Sequence, residues 1–349
     1  MSNEPAALSH AARFAATLGL RVPIFQAPIG SVAGPELAAA VSQAGGLGAL
    51  AFTWTSPDDA RRLVEKVRAQ TEQPFQVNFV LAFEPKSLAA TLEAGVRIVT
   101  FSWGLPVKEM ALVRSFGARC GIQATTAEGA RRALDLAPDF LICQGVEAGG
   151  HVQATQSLWE VLPRIVEVAQ NVPVIAAGGI GDGKGIARAL SLGASAAMLG
   201  TRFVATQESR AHDIYKRRLV ESRAKDTALT VCFDGGWPYA AHRVLRNSTL
   251  DEWEAAGCPP AGRRPGEGDC TATEPGGRDF LRYEDTPPRA TMVGNPEAMC
   301  LYAGTSCEDI RDVPAVSELM ERLWNECETS ALKVCTAEPG RSAEKTLRP

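Results

Sequence analysis

The stretch VPVIAAGGIGDGKGIARALSLGASAAMLGTRF, residues 172–203, carries the pattern on which the fold turns. It opens with a short apolar, β-branched run that ends at Gly178 and Gly179. An amphipathic segment with apolar residues at three- and four-residue spacing follows, and then a second apolar run closes at Gly200 and Thr201. Strand, glycine loop, helix and strand in this order form one β/α unit and the start of the next. The same alternation recurs upstream. Candidate strands fall at Pro23–Ala27, Gly48–Ala51, Phe75–Val80, Ile98–Phe101, Arg119–Ile122, Phe140–Gln144, Val174–Ala177 and Ala196–Leu199, eight in all. Amphipathic helices such as PELAAAVSQAG, PDDARRLVEKVRAQT, TAEGARRALDLA and DGKGIARALSLGA lie between them. Pro35 and Pro57 suit first helical turns, and Gly45 and Gly193 suit helix ends.

Eight units whose strands are apolar on both faces predict an α/β fold, a TIM (β/α)8 barrel, because an open doubly wound sheet usually has fewer strands and a marked switch point. The chain would divide into the main part of the barrel over 1–206, an inserted lid or substrate segment over 207–305, a helix packing back on the barrel over 306–335, and a flexible tail over 336–349. Residues 254–298 are dense in Gly, Pro, Glu and Arg with weak periodicity, a composition found in lids, binding segments and disorder.

Composition narrows the partners. With 36 basic and 40 acidic residues interspersed, the chain has no basic stripe for nucleic acid or an anionic membrane, so small molecules are expected. No run of about 20 apolar residues offers a membrane span. The nine cysteines form no Cys-x-x-Cys and no zinc-finger spacing, so no metal site is expected. The N-terminus lacks a secretory pattern, which makes the reducing cytoplasm the expected location.

In a barrel of this kind, catalytic groups come from the loops at the C-terminal ends of the strands. Three such loops carry clustered glycines: QGVEAGGH after the sixth strand, AAGGIGDGKG after the seventh and LGTRF after the eighth. Paired glycines let backbone N–H groups approach an anion, and a helix N-terminus just beyond adds a favourable dipole. Gly178, Gly179, Gly200 and Thr201 are therefore the candidate phosphate cradle. The glycines of GIGDGKG have neither the spacing nor the downstream acid of a dinucleotide fingerprint, and no Gly-Lys-Ser/Thr of a Walker loop is present.

The stretches FQAPIGSVAGPELAAAVSQAGGLG, VNF, QGVEAGGH, AAGGI and LGTRF, in this order, resemble the nitronate monooxygenase family, formerly called 2-nitropropane dioxygenases, in its EAGGH-type class. The likeness covers about residues 23–206, and FDGGWPYAAHRVLRN extends it more weakly. It implies an FMN-binding barrel that oxidises alkyl nitronates, or nitroalkanes, with O2 to a carbonyl compound and nitrite; propionate 3-nitronate is a natural substrate that fits. By motif, Asn78, Gln144, Gly149, Gly179 and the run Met198, Leu199, Gly200 and Thr201 would contact FMN. Gln26, Ala27, Pro28, Gly150 and Gly178 complete the implied cofactor set. Ile29 stands where such enzymes often have Met.

His151 matches the family's catalytic base. An imidazole suits that work because its ordinary pKa lies near neutrality and the proton α to a nitro group is acidic. Other residues keep two readings each. Gln26, Gln123 and Thr125 at strand ends would bond the flavin edge or substrate, or cap loops. Glu147 would orient His151 or face solvent. Arg202 would neutralise phosphate or cap the next helix. Cys143 would be a redox thiol or a small core residue, and Trp103 and Trp237 would line the site or the core. His242 reaches the site or is structural. Trp237, Trp253 and Tyr302 would form a lid or the contact of a homodimer. The runner-up function is an FMN-dependent NAD(P)H reductase of an enoyl thioester or quinone, and a flavin-binding scaffold without turnover stands last.

Overall fold

The structure, a computed structural model, describes residues 5–336. Eight parallel strands form one sheet: β1 (Ile24–Gln26), β2 (Gly48–Ala51), β3 (Phe75–Val80), β4 (Ile98–Ser102), β5 (Arg119–Ala124), β6 (Phe140–Gln144), β8 (Val174–Ala177) and β9 (Ala196–Leu199). The two-residue strand β7 (Gly150–His151) lies outside this sheet. Helices α2 (Pro35–Gln43), α3 (Pro57–Arg68), α4 (Leu88–Glu93), α5 (Met110–Ser115), α6 (Ala127–Leu134), α7 (Leu158–Ala169) and α8 (Gly183–Ser191) alternate with the strands. Short polar side chains start several of them: Ser56, Thr126 and Asp182 accept hydrogen bonds from the amides of Asp59, Gly129 and Gly185.

The sheet runs β1-β9-β8-β6-β5-β4-β3-β2, so β1 and β2 are its two ends, and they meet through the Phe25–Leu47 bridge to close the TIM barrel. Gln26 completes that seam. Its carboxamide donates to the Ala49 carbonyl at 3.0 Å and accepts from the Ala49 amide at 3.1 Å. The side chain thus replaces a ladder rung where backbone pairing runs out.

The N-terminal end of the barrel is plugged by α1 (Ala6–Thr17). Phe14 stacks on Phe25, and Phe25 meets Phe140 edge-on with ring centroids 6.1 Å apart. The opposite end, where the glycine loops lie, stays open for chemistry. After α9 (Thr201–Val204) and α10 (Asp213–Glu221), the chain adds β10 (Thr227–Thr230) and β11 (His242–Leu245), and β11 pairs antiparallel with β7. The weakly periodic 254–298 stretch has structure of its own. After α11 (Ser248–Ala255) it builds a three-stranded antiparallel sheet from β12 (Cys270–Glu274), β13 (Arg278–Leu281) and β14 (Val293–Gly294) over a small core of Ala272, Phe280, Met292 and Met299. Trp253, expected in a lid or dimer contact, packs beside a neighbouring core and donates to the Pro259 carbonyl.

The long helix α12 (Val316–Thr336) lies against α8 and α2. Gly183 permits that approach: a Cβ there would stand 2.4 Å from Glu326 Cβ, and the Gly183 amide donates to the Glu326 carboxylate instead. The tail expected over 336–349 lies, beyond Thr336, outside the described residues. No helix among those described is long and apolar enough to cross a membrane.

Candidate active site

A cavity of about 820 Å³ opens at the C-terminal ends of the strands. Its floor and walls gather most of the residues that the glycine loops and the family motifs single out: Ala27 and Pro28 after β1, Asn78 on β3, Gln144 on β6, Gly149, Gly150 and His151 on the following loop, Gly178 and Gly179 after β8, and Met198, Gly200 and Thr201 around the end of β9. Gln26 and Leu199 stay outside it, each for a geometric reason. Gln26 is spent on the barrel seam. Leu199 follows Met198 on β9 and, by the two-residue alternation of a strand, points to the opposite face into the outer core. Thr125 also lies outside the lining.

The cradle is made by backbone. Gly178 and Gly179 have φ of 107° and 69°, values that L side chains rarely adopt. Thr201 accepts from the Gly304 amide at 2.9 Å, and its own hydroxyl proton is not taken by any acceptor among the described residues. Gly149 is there for close approach. A Cβ on it would stand 2.4 Å from the Gly304 nitrogen, so the strand-end loop and the 303–304 segment pack backbone to backbone. Asn78 Nδ2 donates to Thr100 O and Oγ1, both at 3.1 Å. The Gln144 carboxamide spans its loop, accepting from the Gln153 amide at 3.0 Å, and Gln123 donates to Gln144 and Gln153.

His151 is placed by strand pairing. It lies opposite His242 in the β7–β11 pair, and the next residue, Val152, donates its amide to the Ala241 carbonyl at 2.8 Å. Arg243 ties the same loop from the other side through two hydrogen bonds to the Val146 carbonyl. The imidazole faces the cavity, and its Nε2 is buried without a protein partner. Burial, with a smaller push from His242, lowers its pKa to about 3, so the ring is neutral at physiological pH. An unpartnered buried polar atom costs about 1–3 kcal/mol and is retained most readily where a ligand will meet it. Ser31 Oγ, on the loop after β1, is a second such atom in the lining.

Several residues with two open readings now have one. Glu147 neither orients His151 nor faces solvent: it accepts from Ser157 Oγ at 2.5 Å and from the Leu158 amide at 2.9 Å, fixing the start of α7. Arg202 is buried against Asp312 at 3.2 Å and donates to the Ala205 and Asp312 carbonyls, turned from the cradle. Cys143 is fully buried, and burial plus the Glu147 charge pushes its thiol up to about 12, so it is a packed core residue. His242 is held structurally, with Nδ1 at 2.9 Å from the Ala240 carbonyl and Nε2 accepting from the Phe233 amide. Trp103 and Trp237 line the cavity.

The sequence reading missed Ser31, Trp54 and Asp285 as parts of the wall. Ser31 sits within the stretch FQAPIGSVAGPELAAAVSQAGGLG, and its place on a strand-end loop was the available signal. Asp285 had none, because it arrives from the small sheet region beyond β13.

A closed parallel barrel with an open strand-end cavity, positive-φ glycines in the loops around it and a neutral imidazole on its wall defines a TIM-barrel enzyme site. The nitronate monooxygenase family model matches residues 12–88 and 82–326. The chain is 32% identical to a nitronate monooxygenase of Pseudomonas aeruginosa, covering 90% of this chain and 98% of that protein. It is 31% identical, over 88% of this chain and 93% of the other, to a Mycobacterium tuberculosis protein named as an octahydroindene-carboxyl-CoA dehydrogenase. Among solved structures, the nitroalkane oxidase of Streptomyces ansochromogenes superposes with a TM-score of 0.73 at 29% identity, covering 92% of this chain and 99% of that one. The chain belongs to the nitronate monooxygenase family and is an oxidoreductase.

Proposed function

We propose that this protein holds FMN across the barrel mouth and oxidises alkyl nitronates with O2 to a carbonyl compound and nitrite, with His151 as the base that admits neutral nitroalkanes. One observation carries the reading: a neutral imidazole on the wall of a cavity, beside a pair of positive-φ glycines, whose ring makes no hydrogen bond and whose Nε2 is buried without a partner. The residues suit the cofactor. Gly178, Gly179, Gly200 and Thr201 offer backbone amides and a free hydroxyl proton for a phosphate, and Ala27, Pro28, Asn78 and Met198 offer an apolar and hydrogen-bonding bed for a flat ring. When bound, the flavin supplies the electron acceptor and the site of reaction with oxygen.

The chain's own task is proton and substrate handling. His151 accepts the α proton of a nitroalkane at a ring nitrogen. Burial lowers its proton affinity, but the transfer creates an imidazolium beside a nitronate anion in a poorly solvated cavity, and that attraction returns affinity in the transition state. A preformed nitronate needs no such step. In His151→Asn, turnover of the neutral nitroalkane therefore falls by about 100-fold or more, while turnover of the preformed nitronate changes far less. Equal losses on both substrates would remove His151 from the role of base.

The second reading, an FMN-dependent reductase drawing on NAD(P)H and acting on an enoyl thioester or quinone, is supported by the likeness to the CoA-thioester dehydrogenase. Bleaching of bound flavin by a reduced nicotinamide, with no bleaching by propionate 3-nitronate under anaerobic conditions, would put that reading first.

A further inference from the structure

The His151 ring makes no hydrogen bond to any described residue, although its backbone is firmly held. Catalytic histidines are usually aimed by a carboxylate or carbonyl on the second ring nitrogen. Here most of the groups that could do so are committed elsewhere. Glu147 is on Ser157 and Leu158, Arg243 is on the Val146 carbonyl, and Tyr302 donates to the Asp285 carbonyl. His242, from the paired strand, is occupied by Ala240 and Phe233. Asp285 is the exception: among the described residues its side chain has no ion pair, but its carboxylate lies against Gly236 and makes no hydrogen bond to the imidazole.

Packing is what remains. The Trp237 indole, on the turn between β10 and β11, stacks on the His151 imidazole with centroids 4.5 Å apart and planes 30° apart. Trp103 meets Trp237 edge-on at 4.4 Å, and Phe83 meets it at 5.3 Å. Trp103 holds a left-handed backbone conformation, φ 58°, which costs a bulky residue about 1–2 kcal/mol and persists where surrounding structure fixes it.

We propose that Trp237 is a positioning residue for His151: by stacking on the imidazole it fixes the plane of the ring at the cavity wall and shuts water out from one face. The aromatic ring does the work that a carboxylate does in other sites, without adding a charge that would hold a proton on the base. The inference rests on His151 being the proton acceptor of the proposed function.

The test is an NMR titration of the histidine side chains in the full chain, with the His151 signal assigned by its loss in His151→Asn. In wild type that signal titrates far below the ordinary value of about 6.5. In Trp237→Leu it moves up by about two pH units or more as water reaches the ring, and in Trp237→Phe, which keeps an aromatic face, it stays within about one unit. Turnover of neutral nitroalkane in Trp237→Leu falls about 10- to 100-fold with KM nearly unchanged, while preformed nitronate is spared. A folded Trp237→Leu protein whose His151 titrates as in wild type overturns the proposal.

If Trp237→Leu does not fold, wild type carries the test. Its indole fluorescence changes with the midpoint of the His151 titration, and this change is lost in His151→Asn and reduced in Trp237→Phe. Fluorescence indifferent to His151 refutes the contact. The titration and fluorescence use no substrate, so they separate a failure of this inference from a failure of the nitronate reading.

Discussion

Replacing Thr201 by Val tests the cradle by removing one oxygen and almost no volume. In wild type this buried hydroxyl accepts from the Gly304 amide at 2.9 Å, and its proton has no acceptor among the described residues. Valine strands the Gly304 N–H in a buried place, which costs about 1–3 kcal/mol of folding stability. It also removes a donor to an anionic phosphate. A hydrogen bond to a charged group is worth about 1.5–3 kcal/mol, so FMN should bind roughly 10- to 150-fold more weakly. The two effects are read separately: denaturant unfolding of the flavin-free protein gives the first, and quenching of FMN fluorescence on titration gives the second. Thr201→Ser keeps the oxygen and should restore both. If Thr201→Val loses stability yet binds FMN as wild type does, the hydroxyl serves Gly304 alone and the phosphate has been placed wrongly.

Two further outcomes follow from the same geometry. Folded His151 holds its pKa at about 3 against about 6.5 in the unfolded chain, so the unfolded state takes up the proton first as pH falls. Stability is therefore level above pH 6.5 and declines between pH 6.5 and 3, by at most about 5 kcal/mol from this residue, with buried His242 acting in the same direction. Denaturation curves at pH 7 and pH 4 should show a smaller difference for His151→Asn than for wild type; identical differences would mean that the ring is hydrated. In Gly149→Ala the new methyl would meet the backbone of Ala303 and Gly304 at 2.4–2.6 Å, where no flexible side chain can step aside. A loss of about 1–3 kcal/mol, with weaker FMN binding as Gly304 is pushed from Thr201, is expected, and a wild-type melting temperature would contradict the packing.

Much of the site was legible because its signals are local. A glycine pair at the end of an apolar run reports a turn that needs positive φ, and Gly178 and Gly179 take that conformation. Met198 and Leu199 show where such reading stops, since the motif named both and strand alternation sent only one inward. Gln26 sits in a named motif but is consumed by closing the barrel, a demand that exists only once β1 and β2 meet. Glu147 and Arg202 were open between two roles and took a third, with partners on α7 and before α12.

By itself the sequence determined the strand and helix periods, the eight-unit order that implies a barrel, and the loops that carry the cradle and His151, because each is set by side-chain spacing and backbone preference within a few residues. Tertiary structure alone decided what surrounds the imidazole. The β7–β11 pair, the stacked Trp237 and the unpartnered Nε2 arise from segments far apart in the chain. Their meeting depends on closing long loops and burying shared surface, and neither leaves a period in the sequence.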